Sequence, residues 1–215
     1  MEATEKIIAR VAKDFSNESE GKFIVQPLKR GYGTTLGNAM RRMLLTSVPG
    51  AAITSLKVDG VLHEFSTIPG VREDVSEIIL NLKETKIKLN DTDNTSFTVE
   101  CKGEGELKAA DLDDASNDIE VMNPDKTICH MNEKADFEMD LSAAEGTSWN
   151  ESEENETLDY PIGTIFIDSI FSPVEQVSFN VENLPGTKRG EELERLTLYI
   201  KTDGSVSPED AMDYA

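Results

Sequence analysis

The most constraining feature of this 215-residue sequence is an amphipathic helical pattern that follows a glycine-containing turn at residues 31–33. Apolar or small residues recur at i, i+3, i+4, i+7, i+8 and i+11 over residues 36–47, which predicts a helix with one buried face. Thr34 or Thr35 is expected to cap this helix, and the Pro-Gly pair at 49–50 is expected to end it.

The two faces of this predicted helix follow from a step of about 100° per residue. The core stripe is expected to contain Leu36, Ala39, Met40, Met43, Leu44 and Ser47. The opposite face is expected to carry Asn38, Arg41, Arg42 and Leu45. A leucine among arginines is typical either of an ordinary solvated helix face or of a protein interface, and the pattern alone leaves both interpretations open.

The rest of the chain is mostly strand-like, with two further helix signals. Asp59-Gly60 between apolar runs predicts a β-hairpin. A second helix is predicted after Asp74, and Ser207-Pro208 predicts the start of a third, with Ser207 as its cap. Residues 144–160 lose all periodicity and predict a mobile loop. The best strand signals lie at residues 22–25, 96–101, 118–122, 127–131, 136–141, 174–181 and 193–202.

The formal net charge of −21 is unevenly distributed. Residues 91–160 hold 21 acidic residues, four lysines and no arginine, whereas residues 1–90 are nearly neutral. This acidity offers no large basic footprint for nucleic acid, so we expect no direct DNA binding. No stretch approaches the roughly 20 apolar residues of a membrane span, and the N-terminus lacks a signal-peptide core. We therefore expect a cytoplasmic protein without membrane contact.

No set of residues predicts catalysis, a cofactor or a metal site. Residues 31–37 look like a phosphate-binding loop, but Leu36 stands where a dinucleotide fingerprint needs glycine, and no P-loop lysine follows. The acidic run 111–114 is expected to be a solvated turn. A four-ligand metal centre would need both cysteines and both histidines to converge, yet adjacent Cys129 and His130 on a strand point to opposite faces.

Long blocks of the sequence follow one another in a recognisable order. The first three are residues 27–45, 59–67 and 73–83, and the later ones are residues 161–163, 168–169, 172–175, 180–182, 202–204 and 207–209. Together these blocks resemble, in the same order, those of a known family, the α subunits of bacterial-type DNA-directed RNA polymerase, in which residues 27–45 are similar to the signature helix. The resemblance spans roughly residues 20–213 and leaves open whether the source is bacterial or plastid.

The resemblance implies an α+β fold, in which a discontinuous α/β dimerisation subdomain (residues 5–49 plus 174–215) carries an inserted β-rich subdomain (residues 50–173). It implies a non-catalytic assembly scaffold of a nucleotidyltransferase complex, with no cofactor of its own. In the family two copies form a homodimer, which then recruits the β and β′ subunits for transcription. The family's chain continues into a DNA-binding C-terminal domain, which is absent from these 215 residues.

The resemblance also implies roles for individual residues. The residues expected at the β-subunit interface are Asn38, Arg41, Arg42 and Leu45. Those expected toward β′ are Lys83, Ile167 and Asp168. Those expected at the dimer interface or in its supporting core are Tyr32, Leu36, Met40 and Met43.

One segment departs from the family pattern. After Leu141 the family usually has an Arg/Gly-rich stretch ending in Gly-Tyr and Pro, whereas residues 145–151 here retain little of it beyond Gly146 and an aromatic residue.

An alternative function, from the residues alone, is a stand-alone acidic module that recruits basic protein partners through residues 91–160. Dimerisation and β binding would distinguish the two functions.

Overall fold

The structure, a computed structural model, describes residues 10–156, 160–185 and 192–215. The described residues form five helices: α1 (Tyr32–Thr46), α2 (Val75–Lys83), α3 (Ala110–Ala115), α4 (Ser152–Asn155) and α5 (Pro208–Tyr214). They also form these strands: β1 (Arg10–Ser16), β2 (Glu20–Lys29), β3 (Pro49–Val58), β4 (Ile87–Leu89), β5 (Asn94–Lys102), β6 (Gly105–Lys108), β7 (Ile119–Val121), β8 (Thr127–Met131), β9 (Asp136–Thr147), β10 (Trp149–Asn150), β11 (Ile165–Phe166), β12 (Ser169–Ile170), β13 (Val174–Pro185) and β14 (Glu192–Thr202).

The chain divides into two compact units, each with its own hydrophobic core. One unit holds the described residues of Met1–Val48 and Pro173–Ala215, and the other is Pro49–Ser172. The first unit is therefore discontinuous in sequence. The predicted α+β fold class is confirmed.

The first unit is a four-stranded antiparallel sheet with two helices packed on it. The strand order is β1-β2-β14-β13. Side chains on alternate positions of β14, at Leu196, Leu198 and Ile200, are buried beneath α1 and α5. Helix α5 begins as predicted, because the Ser207 hydroxyl accepts a hydrogen bond from the Asp210 backbone N–H at 3.1 Å.

The second unit is built on a larger antiparallel sheet in the order β5-β9-β3-β4-β7, with β11 also paired to β3. Helix α2 packs on its core through Val75, Ile78 and Leu82. The Asp74 carboxylate caps α2 by accepting from the Glu77 N–H at 2.8 Å. The predicted second helix is thus confirmed.

The hairpin predicted at Asp59-Gly60 is wrong. Gly60 makes a turn at a φ of +82°, and no strand returns over residues 61–65. Instead β3 pairs with β9, far along the chain. Val61 enters the core while Leu62 and Phe65 stay exposed, so the chain leaves the sheet after the turn.

Two further predictions about irregular segments need correction. Residues 144–160 do not form one loop, because β9 continues to Thr147 and is followed by β10 and α4; residues 157–159 lie outside the described part of the chain. The acidic run 111–114 lies in α3, where the Asp111 carboxylate accepts from the Lys108 N–H at 2.7 Å and Leu112 is fully buried. Across the described ranges, no helix is long and apolar enough to cross a membrane.

Candidate protein-interaction sites

Helix α1 lies unusually close to the sheet because two glycines face it. A Cβ on Gly33 would lie 2.7 Å from Val181 Cγ1, and a Cβ on Gly37 would lie 2.6 Å from Phe179 Cδ2. Both distances are shorter than any relaxed carbon–carbon contact. Small residues are therefore required on the face of α1 that packs against β13.

This glycine face corrects the predicted orientation of α1. The buried residues of α1 are Gly33, Gly37 and Leu44. The centre of this buried face is rotated by about 70° around the helix axis from the centre of the predicted face. Ala39, Met43 and Ser47 are exposed although the stripe placed them in the core. Counting apolar side chains missed this because glycines carry almost no hydropathy signal.

The rotation also changes the environment of Leu45. The sequence placed it opposite the core, but it is half-buried and packs against the core cluster of the first unit. Leu36 and Met40 are likewise half-buried against that cluster. The premise that Leu45 is a solvent-exposed anchor is therefore wrong.

The exposed surface of α1 has an apolar part and a basic part. Tyr32 and Met43 are 63% and 42% exposed. Asn38, Arg41 and Arg42 are exposed as well. Arg30, Arg72 and Arg195 each pair with a carboxylate, whereas Arg41 and Arg42 have no ion pair among the residues that the structure describes. Exposed apolar side chains next to uncompensated arginines match the composition of protein interfaces.

The N-terminus of α1 is capped from outside the helix. Its first flanking residue, Gly31, has a φ of +85° and offers no side chain, and neither threonine caps the helix as predicted. The carboxylate of Glu194, on β14, accepts from the N–H groups of Gly31 and Gly33, both at 2.8 Å. These two hydrogen bonds lower the pKa of Glu194, and the nearby Arg30 guanidinium lowers it further. Burial alone would raise this pKa, but its effect is smaller.

A second candidate site lies in the second unit, where α2 meets the segment around β11 and β12. Lys83 Nζ lies 3.3 Å from Asp168 Oδ2, and the Ser152 N–H donates to Asp168 Oδ1 at 2.9 Å. The hydrogen bond from the Ser152 N–H lowers the pKa of Asp168, because it stabilises the ionised carboxylate. Burial acts in the opposite direction, and Lys83 lowers the pKa further. The pair lines a groove of about 400 Å³.

Ile167 does not belong to the surface of this second site. Its side chain is 1% exposed and lies in the core cluster of the second unit, because alternate residues of an extended segment point in opposite directions. Lys83 and Asp168 therefore remain as the side chains that a partner could contact, and Ile167 supports them from below.

The cysteines and histidines form neither a redox pair nor a metal cluster within the described ranges. Burial raises the pKa of Cys101 to about 11 and that of Cys129 to about 12, so both thiols stay protonated. His130 lies on the other side of β8, as predicted, with Nδ1 2.7 Å from Oε1 of the buried Glu73. This contact joins β8 to the residue before the α2 cap.

Comparison with known proteins assigns the chain to a family. Residues 56–172 match the family model described as "RNA polymerase Rpb3/RpoA insert domain". The chain is 46% identical over 213 residues to the DNA-directed RNA polymerase subunit alpha of Alkaliphilus oremlandii, an alignment that covers 98% of this chain. The chain belongs to the family of DNA-directed RNA polymerase α subunits.

Two further α subunits show similar identity. The chain is 49% identical to that of Oceanobacillus iheyensis over 91% of its length, and 47% identical to that of Carboxydothermus hydrogenoformans over 93%. The matched regions span 66%, 62% and 63% of the three relatives.

Glu194 is the site residue that sequence reasoning missed. It occupies the same alternating row of β14 as Leu196, Leu198 and Ile200, all of which are buried. An acidic residue in a buried row needs hydrogen-bond donors to offset the cost of burial. That break in the pattern was the available signal.

Proposed function

We propose that the chain is a non-catalytic assembly scaffold of a bacterial cytoplasmic RNA polymerase, which forms a homodimer and then recruits the β and β′ subunits. The observation that carries this proposal is the exposed surface of α1, in a chain 46–49% identical to polymerase α subunits. That surface combines exposed Tyr32 and Met43 with unpaired arginines among the described residues.

The two parts of this surface support two different contacts. The apolar part, Tyr32 and Met43, supports contact with a second copy, because burying apolar surface drives association without needing charge complementarity. The basic part, Arg41 and Arg42, supports contact with β, since arginine at the edge of an apolar anchor is common in binding hot spots. In a homodimer both parts are present twice, once on each copy.

The Lys83–Asp168 pair supports a separate contact with β′. Asp168 is held by the Ser152 N–H and by Lys83, so both charged groups are already ordered before a partner arrives. Preordering lowers the entropic cost of binding. Two identical copies can bind two different subunits when each partner uses a different set of these residues.

The proposal is tested by light scattering of the chain at increasing concentrations, followed by co-purification with tagged β and β′ subunits of one of the three relatives. We expect a dimer that retains β and, with β present, β′. A chain that stays monomeric at about 10 µM and ignores both subunits would contradict the proposal. Retention of basic proteins by that monomer would favour the acidic module instead.

A further inference from the structure

Helix α1 depends on a residue 161 positions away for the order of its first turn. The first N–H groups of any helix lack partners inside the helix, and a capping side chain usually satisfies them. The residue at the capping position of α1, Gly31, has no side chain that could accept these hydrogen bonds. The Glu194 carboxylate takes its place, with one oxygen on the Gly31 N–H and the other on the Gly33 N–H.

The arrangement fixes the helix in two ways. A carboxylate at a helix N-terminus is favoured by the helix dipole, and Glu194 is 7% exposed, so its contacts are sheltered from water. Glu194 Oε2 would lie 2.8 Å from a Cβ on Gly33, so a larger residue there would have to displace the carboxylate. The hydrogen bonds from β14 therefore act on the N-terminal turn of α1, in addition to the contacts that Gly33 and Gly37 make with β13.

Among the described acidic groups of β13 and β14 near the N-terminus of α1, Glu194 alone bonds to the backbone of this helix. Glu192 is exposed and pairs with Arg30. Arg195 lies on the other face of the sheet, where its guanidinium approaches Gln26 and Glu182. Neither acidic group, Glu182 or Glu192, is bonded to the α1 backbone.

We propose that Glu194 is a positioning residue for assembly: by holding the N–H groups of Gly31 and Gly33, it fixes the register of α1 and thereby the direction in which Arg41, Arg42 and Met43 face their partners. The partner-binding part of this inference rests on the proposed function. The local part, that Glu194 orders the first turns of α1, does not depend on it.

The test compares Glu194→Gln with the wild type and with the matched control Glu192→Gln, which removes the same charge two residues away. Hydrogen exchange of the full chain is followed by mass spectrometry. We expect residues 30–40 to exchange at least tenfold faster in Glu194→Gln, with residues 21–28 and 196–202 unchanged. Glu192→Gln should match the wild type in all three segments.

Partner binding gives the second readout. The Glu194→Gln dimer should retain β at least tenfold more weakly, and Glu194→Asp, which keeps the charge but is shorter, should recover part of that loss. Unchanged exchange at residues 30–40 would overturn the inference, as would equal acceleration throughout the first unit or full retention of β despite faster local exchange. Failure of the wild type to dimerise or bind β would refute the proposed function, while the exchange comparison would still decide the role of Glu194.

Discussion

Gly37 of α1 and Phe179 of β13 are in such close contact that a Cβ on Gly37 would lie 2.6 Å from the Phe179 ring. The ring occupies the space that any larger residue at position 37 would need. Together with Gly33 against Val181, this contact sets the distance between helix and sheet. It thereby decides which α1 side chains remain exposed.

Gly37→Ala is expected to lower the free energy of unfolding by up to about 2 kcal/mol. Overpacking of a tight contact costs about 1–3 kcal/mol, and the better helix propensity of alanine offsets up to about 1 kcal/mol of it. Urea unfolding measures the change. Gly105→Ala is the control, because a Cβ there meets nothing within 4 Å. A stabilised Gly37→Ala variant would show that the contact relaxes without cost.

Met43→Glu is expected to weaken the homodimer at least 100-fold while leaving unfolding unchanged within about 0.5 kcal/mol, since the residue is a surface position in the single chain. Placing a carboxylate in an apolar interface leaves it desolvated and unpaired. Sedimentation equilibrium measures the dissociation constant. Leu80→Glu, at a 59% exposed position on α2, is the matched control. If both variants dimerise equally well, Met43 lies outside the interface.

Arg42→Ala is expected to reduce retention of β by about tenfold or more, the effect of losing one arginine hot spot. The side chain is exposed, so dimerisation and folding should not change. Titration of the dimer with β, followed by surface plasmon resonance, measures the affinity. Lys102→Ala removes an equally positive but carboxylate-paired side chain on β5 and should bind β normally. Normal affinity of Arg42→Ala would remove this residue from the proposed β contact.

Glu73→Gln is expected to change how stability depends on pH. Burial raises the pKa of Glu73, but hydrogen bonds from the His130 backbone N–H and ring outweigh it and hold the pKa below its ordinary value of 4.5. A lowered pKa means that the ionised carboxylate stabilises the fold above about pH 4.5 and that this stability is lost as the pH falls. Removing a charged acceptor from a buried site costs about 1–3 kcal/mol.

The measurement is urea unfolding of wild type and Glu73→Gln from pH 3 to pH 7. The variant should be less stable at pH 7, and the two proteins should converge as the pH falls below the pKa of Glu73. Glu77→Gln, an exposed residue in the first turn of α2, should follow the wild type throughout. A constant difference across the whole range would mean that the Glu73 charge does not contribute.

Much of the fold follows from local pattern. The start of α2 after Asp74 and the Ser207 cap of α5 were predictable because these two side chains act on N–H groups within three residues of themselves. The strands of the second unit were predictable because Met139 and Leu141 alternate with polar residues. In each case the sequence pattern and the helix start or strand that it predicts lie within the same short segment of the chain.

What failed depended on contacts between distant segments. The turn at Asp59-Gly60 was correctly placed, but the partner of β3 proved to be β9, about 80 residues further along. Residues 144–147, the first part of the mobile loop expected at 144–160, became an extension of β9 for the same reason, since pairing with β3 continues to Thr147. Local propensity cannot specify a strand's partner.

The sequence by itself determined the family, the α+β class and the existence of an amphipathic helix with two arginines near its C-terminal end. The tertiary structure alone decided which face of that helix is buried. Glycines at 33 and 37 carry no hydropathy signal, yet Val181, Phe179 and Glu194 approach them from the sheet and turn the helix onto them. Packing distance and hydrogen bonds to remote residues, rather than periodicity, therefore set the surface that the chain presents.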